Sequence, residues 1–189
     1  MLAHSSGPAS TTIESPMTAL PPDFDQQYFR SALGRFATGV TIVTTETADG
    51  RPWGLTVSSF NAVSLEPPMV LWSLSQQASA LPHFLAARRY VIHVLSASQL
   101  HLAKRFSKGK QEERFLGLAL KRSPNGVPML ADTDTAAWFE CFNHAQHPAG
   151  DHTIFVGQVE RCARRYSQPL VYHAGDFDLT PSIEPIPGH

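Results

Sequence analysis

The sequence is short of cysteine and of charge bias, and each shortage excludes a class of protein. Cys141 and Cys162 are its 2 cysteines, too few for a fold stapled by disulfides. Lys and Arg total 15 against 16 for Asp and Glu, whereas a dedicated nucleic-acid binder carries a basic excess. No apolar run approaches the roughly 18 residues of a membrane-spanning helix, and no signal peptide is evident. We therefore expect one cytoplasmic domain with neither nucleic-acid nor membrane partners.

The common nucleotide-binding and hydrolytic motifs are missing as well. The chain contains no GxGxxG of a dinucleotide-binding fold and no GxxxxGK[ST] phosphate loop. The GxSxG and HExxH motifs of hydrolases and metalloproteases are also absent. A nucleotide bound by this chain must therefore lie on a different scaffold.

Composition and hydrophobic periodicity divide the chain into three ranges. Residues 1–22 are rich in Ser, Thr, Pro and Ala and bury too little apolar surface to offset the entropy of ordering, which predicts a disordered leader. Residues 23–180 carry the periodicity of one folded domain. Residues 181–189 include three prolines, which predict an extended tail.

The pattern of the middle range predicts a mainly β domain with flanking helices. Helices are expected from near Asp23 or Asp25, over 78–87 and over 98–106. Strands are expected over 40–45, 53–65, 69–74, 90–95, 136–143, 153–161 and 170–172, with a hairpin turn at Asp49-Gly50. Several gaps between strands are of hairpin length, which favours an antiparallel barrel or sandwich over a doubly wound sheet.

Two segments rich in hydroxyl side chains are candidate ligand sites. In the run GLTVSSF, residues 54–60, strand alternation puts Thr56 and Ser58 on one face. Enclosed there, their hydroxyls would need a polar heterocycle as partner, whereas on an edge strand they would face solvent. The run SLSQQAS, residues 73–79, leads from a strand into a helix, so Ser79 either helps to bind a phosphate or caps the helix.

Three further groups of residues are candidates for chemistry. Arg105 ends the third predicted helix, where it either pairs with a phosphate or complements the negative end of the helix. The polar loop 144–152, HAQHPAGDH, holds three histidines, but their spacing fits no metal site, so we predict one histidine beside Asp151 as a hydrogen-bond donor or stacking surface. Cys141 and Cys162 would face each other as free thiols if the loop were centred near Gly150.

These segments, taken in order, resemble the short-chain flavin reductase family, the reductase components of two-component flavin monooxygenases. The matching runs are FRSALGRFATGVTIVTT, GLTVSSFNAVSLEPPMVLWSL, GDHTIFVGQVE and LVYHAGDF, and the similarity extends from about Phe29 to Phe177. The resemblance implies an FMN-binding split β-barrel of antiparallel Greek-key type that works as a homodimer. It also implies NAD(P)H:flavin oxidoreductase activity.

The resemblance further assigns site residues one by one. The isoalloxazine ring would be lined by Trp53, Gly54, Leu55, Thr56, Ser58 and Ser59. The ribityl and phosphate part would be held by the turn that includes Ser73, Leu74, Ser75 and Ser79, with Arg105 and Phe106 near the flavin tail. Asp151 and His152 would lie on the nicotinamide side, with Tyr172 near the pyridine nucleotide. Trp72 stands where relatives tend to carry a smaller residue.

The function implied is hydride transfer from nicotinamide C4 of NADH or NADPH to N5 of FMN or FAD. His152 is the catalytic candidate, as a residue that positions the nicotinamide rather than as a proton donor. Reduced flavin would then diffuse to a separate monooxygenase. The alternative is a flavin-binding carrier or sensor on the same barrel without useful reductase turnover.

Overall fold

The computed structural model describes residues 19–131 and 134–178. Of the predicted leader, only residues 19–22 fall within this range, and they are exposed and outside any helix or strand. The remainder of the leader and the predicted tail, 181–189, lie outside the described residues.

The described residues form short helices around a β framework. The helices are α1 Gln26–Leu33, α2 Leu81–Ala86, α3 Leu100–Phe106 and α4 Gln111–Phe115. The first half of the strands are β1 Thr38–Gly39, β2 Thr41–Glu46, β3 Pro52–Val57, β4 Asn61–Leu65, β5 Pro68–Ser75 and β6 Arg89–Val94. The second half are β7 Leu120–Arg122, β8 Pro128–Leu130, β9 Ala137–Ala149, β10 His152–Arg164, β11 Val171–His173 and β12 Asp176–Asp178.

Seven strands form one antiparallel sheet in the order β3-β2-β6-β9-β10-β5-β4. The sheet curls until β3, at one edge, approaches β5 near the other. There the Ser59 hydroxyl donates to the Ser73 carbonyl (3.0 Å) and accepts from the Ser73 N–H (2.9 Å). Smaller sheets, β1-β11-β12 and β7-β8, flank it. The predicted fold, an antiparallel split β-barrel with flanking helices, is confirmed.

An aromatic cluster fills the barrel. Trp72 is fully buried and stacks on Phe155, with ring centroids 4.6 Å apart, and Tyr90 meets Trp72 edge-on. Gly157 leaves room for this arrangement, because a Cβ there would lie only 2.4 Å from the Tyr90 hydroxyl oxygen. The large residue at position 72 is therefore accommodated by the packing of the core.

The structure corrects the predicted polar loop at 144–152. These residues complete β9 and begin β10, and only Gly150 and Asp151 remain as a turn. Pairing of β9 with β10, which itself pairs with β5, overrides the polar composition. This tight turn and a register shift place Cys141 opposite Val159 and Cys162 opposite Phe139. The two free thiols therefore do not face each other, and Cys141 is buried whereas Cys162 is exposed.

Other boundaries also differ from the prediction. The helix expected over 78–87 is shorter, α2, with Ala80 as its N-cap. The helix expected over 98–106 begins as a 3-10 turn, Ala97–Gln99, and continues as α3. Helix α4 and the β7–β8 hairpin were not predicted.

Candidate functional site

The run 53–58 divides between the two faces of edge strand β3, as the alternation of a strand requires. Trp53 and Leu55 pack against the barrel core, and the Trp53 ring lies 4.0 Å from that of His83. Gly54 faces α3 and α4, where it meets the rings of Phe106 and Phe115. The Thr56 hydroxyl donates to the Ala103 carbonyl of α3 at 2.8 Å. The predicted common face of Thr56 and Ser58 is confirmed by the cleft that both side chains line.

This cleft, which we call the β3 cleft, has a volume of about 190 Å³ and is lined by Val40, Thr56, Ser58, Ser107, Tyr172 and Phe177. The rings of Tyr172 and Phe177 meet edge-on, 5.3 Å apart. Three of the six residues were singled out from the sequence. Val40 and Phe177 lie in the runs that carried the resemblance, so a signal for them existed, whereas nothing in the sequence pointed to Ser107.

A buried hydroxyl lies beside the β3 cleft. Thr38 of β1 pairs with Tyr172 of β11, and the Thr38 hydroxyl oxygen is buried without a hydrogen-bond partner among the described residues. A buried polar group without a partner is costly. An oxygen- or nitrogen-bearing ring in the cleft would offer the partner that the protein does not, which fits a flavin or a nicotinamide amide.

The second group of predicted residues meets at the β9–β10 turn. His152 pairs with Ser75 across β10 and β5, and the Gln76 N–H donates to the Asp151 carbonyl at 2.9 Å. The His152 Nδ1 lies 2.7 Å from an Asp151 carboxylate oxygen. Hydrogen bonding to His152 and its charge lower the pKa of Asp151. The Asp151 carboxylate thus holds the half-exposed imidazole at Nδ1 and fixes the orientation of the ring.

A polar track joins the two groups. Ser58 lines the β3 cleft, Ser59 is bonded to Ser73, and Ser75 lies opposite His152. Ser73 and Ser75 are two residues apart on β5, which is about 7 Å. The structure therefore brings the two predicted segments together where the Ser59 hydroxyl meets the Ser73 backbone, two residues along β5 from Ser75, which pairs with His152.

Several predicted residues are already engaged by the protein itself. Leu74 is buried in the core, so only its backbone is available to a ligand. Ser79 is exposed and is not the cap of α2, which is Ala80, so the capping interpretation was wrong. Phe106 is fully buried behind β3, edge-on to Phe115.

Arg105 contacts α4. Its guanidinium donates to the carbonyls of Glu113 (3.1 and 2.8 Å) and of Leu116. Both carbonyls belong to the end of α4, so the arginine complements a helix terminus, although of α4 rather than of its own helix. Its predicted contact with the flavin tail stays a prediction.

Neither a metal-binding cluster nor a membrane-spanning helix occurs among the described residues. No three His, Cys, Asp or Glu side chains within 19–131 and 134–178 come together in a way that could hold a metal ion. Over the same part of the chain, no helix is long and apolar enough to cross a membrane.

Known proteins are similar to this chain in sequence and in fold. An FMN reductase (NADH), SmoA, from Agrobacterium fabrum is 46% identical over 158 residues, which are 84% of this chain and 88% of the relative. The NADH:FAD oxidoreductase SgcE6 of Streptomyces globisporus, solved with NAD and FAD fragments, superposes with a TM-score of 0.77 at 30% identity, covering 88% of this chain and 100% of that one.

A third relative is the styrene monooxygenase flavin reductase of Pseudomonas putida S12. It superposes with a TM-score of 0.72 at 32% identity, covering 79% of this chain and 95% of that one. The model of the flavin reductase like domain matches residues 33–180. With the barrel, the polar track and these matches in agreement, the chain belongs to the flavin reductase like family.

Proposed function

We propose that this protein is an NADH-dependent flavin reductase that delivers reduced FMN or FAD to a separate monooxygenase. The observation that carries the proposal is the polar track from Thr56 through Ser58, Ser59 and Ser73 to His152. It offers a ring-sized cleft at one end and a positioned imidazole at the other. The relatives' names support NADH as the reductant and a flavin as the acceptor: one is an FMN reductase (NADH) and another is an NADH:FAD oxidoreductase.

Bound flavin would supply the redox chemistry, accepting hydride at N5 from the nicotinamide of NADH. The protein binds and orients. The hydroxyls of Thr38 and Ser58 and the outward backbone of β3 would bind the pyrimidine end of the ring and stabilise the negative charge that forms there. Ser75 and Ser79 would contact the ribityl phosphate. His152, held by Asp151, would position the nicotinamide.

The reductase and the carrier interpretations differ in turnover. Purified protein is mixed with NADH or NADPH and with free FMN, FAD or riboflavin, and oxidation is followed at the nicotinamide absorbance band. We expect multiple turnovers with NADH and FMN or FAD. Flavin binding without nicotinamide oxidation would refute the reductase and favour a carrier or sensor.

We also infer a homodimer, from two exposed apolar patches. One is the face of α1 and its extension, where Leu33 and Phe36 are 58% and 74% exposed; the other is the edge strand β4, where Leu65 is 95% exposed. Contiguous apolar surface of this kind marks interaction sites, and an open β edge invites pairing.

A reduced compartment suits the two free thiols, so we place the dimer in the cytoplasm.

Sedimentation measures this directly. We expect the wild type to sediment as a dimer and the double variant Phe36→Glu, Leu65→Glu to sediment as a monomer. Tyr166→Glu is the matched control, because Tyr166 is also 95% exposed but lies on neither patch. A wild type that is monomeric at micromolar concentration, or a double variant that remains dimeric, would contradict the assignment.

A further inference from the structure

Gln111 completes the open edge of the strand that carries the flavin run. It is the first residue of α4, it is buried, and its carboxamide pairs with Gly54 twice. The Gly54 N–H donates to Gln111 Oε1 at 3.0 Å, and Gln111 Nε2 donates to the Gly54 carbonyl at 3.0 Å. These are the two bonds that a neighbouring strand would make, so the side chain replaces a strand at one residue of an edge.

Gly54 is also held by Arg114 and by two aromatic rings. Arg114 Nη1 donates to the Gly54 carbonyl at 2.8 Å and Nη2 to the Gly109 carbonyl at 3.2 Å. The rings of Phe106 and Phe115 lie so close that a Cβ on Gly54 would be 3.1 and 3.0 Å from their nearest carbons. Hydrogen bonds thus hold the backbone of Gly54, and the two rings pack against the side on which a Cβ would lie.

The position of Gly54 determines which backbone N–H and carbonyl groups of β3 a ligand can reach. Gly54 directs its N–H and carbonyl away from β2, so alternation directs those of Thr56 away from β2 as well. Thr56 lines the β3 cleft, whereas Gly54 is covered. The strand edge open to a ligand therefore begins at Thr56.

We propose that Gln111 is a positioning residue for flavin reduction. By covering Gly54 it fixes the place along β3, at Thr56 and Ser58, where the pyrimidine end of the flavin binds. The inference rests on the proposed function, and it adds to the site a side chain that lies outside every segment predicted from the sequence.

The test separates flavin binding from stability. Gln111→Leu removes both bonds at similar size, whereas Gln111→Glu keeps the acceptor for the Gly54 N–H and leaves Arg114 on the Gly54 carbonyl. Glu113→Ala is the control: its carboxylate accepts from the Lys110 N–H at 3.2 Å, so its loss loosens α4 without touching Gly54. Flavin affinity, the visible spectrum of bound FMN at saturation, and Tm are measured for each.

We expect Gln111→Leu to weaken FMN binding about 10-fold, because Gly54 is no longer held and the binding edge at Thr56 and Ser58 loses its fixed position, and to shift the spectrum of bound FMN. The KM for flavin should rise correspondingly. Gln111→Glu should restore most of the affinity and the spectrum. Glu113→Ala should lower Tm and leave both flavin readouts at wild-type values.

Unchanged FMN affinity and spectrum in Gln111→Leu would overturn the inference, as would equal losses in Glu113→Ala. Should Gln111→Leu fail to fold, Gln111→Asn takes its place; its shorter side chain cannot make both bonds, and wild-type flavin readouts in it would overturn the inference. Because binding is measured without NADH, a wild type that binds FMN but oxidises no NADH would refute the reductase function alone.

Discussion

Acid should destabilise this protein through one histidine, His93. It lies in β6, fully buried, with Nδ1 3.1 Å from the Ile42 carbonyl and Nε2 accepting from the Leu130 N–H at 3.2 Å. The neutral ring with its proton on Nδ1 satisfies both contacts and ties β2, β6 and β8 together. Burial lowers the pKa of His93 from 6.5 to about 4, the Ile42 carbonyl partly opposes this, and Lys121 adds to the lowering.

The sign and size of the effect follow from proton linkage. The unfolded chain binds a proton at His93 near pH 6.5, whereas the folded protein binds it only near pH 4, so the unfolded state gains protons first on acidification. Stability is therefore fully present above pH 6.5 and falls as the pH drops toward 4. At 1.36 kcal/mol per pKa unit, the loss attributable to His93 is about 3 kcal/mol.

Urea unfolding in one buffer series measures this loss. The pH is varied from about 7.5 to about 4, so that the range spans the pKa values of His93 in the unfolded and folded states. His93→Asn keeps a donor for the Ile42 carbonyl and removes the titration, so its free energy of unfolding should start lower at neutral pH and decline less on acidification. His144→Asn is the control, because His144 is exposed on β9. Equal declines in wild type and His93→Asn would refute the reasoning.

Three further outcomes are expected. Gly157→Ala should cost about 1–3 kcal/mol of stability in urea unfolding, because its Cβ would meet the Tyr90 hydroxyl; an unchanged midpoint would contradict this. His152→Ala should raise the KM for NADH or slow flavin reduction in stopped flow, with flavin affinity unchanged; if neither constant moves, the role of His152 is wrong. Ser79→Ala should weaken FMN binding by about 1 kcal/mol and riboflavin binding much less, and equal weakening would place Ser79 away from the phosphate.

The sequence predicted the strands and helices whose own composition or periodicity determines their structure, and it missed those held by distant contacts. The β-branched run of β2 and the apolar run of β6 were identified because their composition suits a buried strand wherever they pair. Helix α4 was missed because its five residues have no helical periodicity. It is held by contacts of Gln111 and Arg114 with Gly54, more than fifty residues away, and no local pattern records such contacts.

The candidate site shows the same division. Strand alternation alone put Thr56 and Ser58 on one face. That Tyr172 closes the same cleft depends on the pairing of β1 with β11, which joins the two ends of the domain. The histidine-rich run was predicted as a loop because of its polar composition. The pairing that makes it the end of the long β9–β10 hairpin cannot be recognised from that composition.

The fit of Tyr90 into the space above Gly157 has an evolutionary consequence. The atom nearest to a Cβ at position 157 is the Tyr90 hydroxyl oxygen at 2.4 Å, while the ring carbon behind it is at 3.1 Å. The Cys141 Cβ, at 2.9 Å, is the next nearest atom, so removing the Tyr90 oxygen relieves the closer of two overlaps, and positions 90, 141 and 157 are expected to vary together among descendants of this chain. A lineage that has already lost the Tyr90 hydroxyl can therefore acquire a side chain at 157 at a smaller cost in stability than one that keeps it.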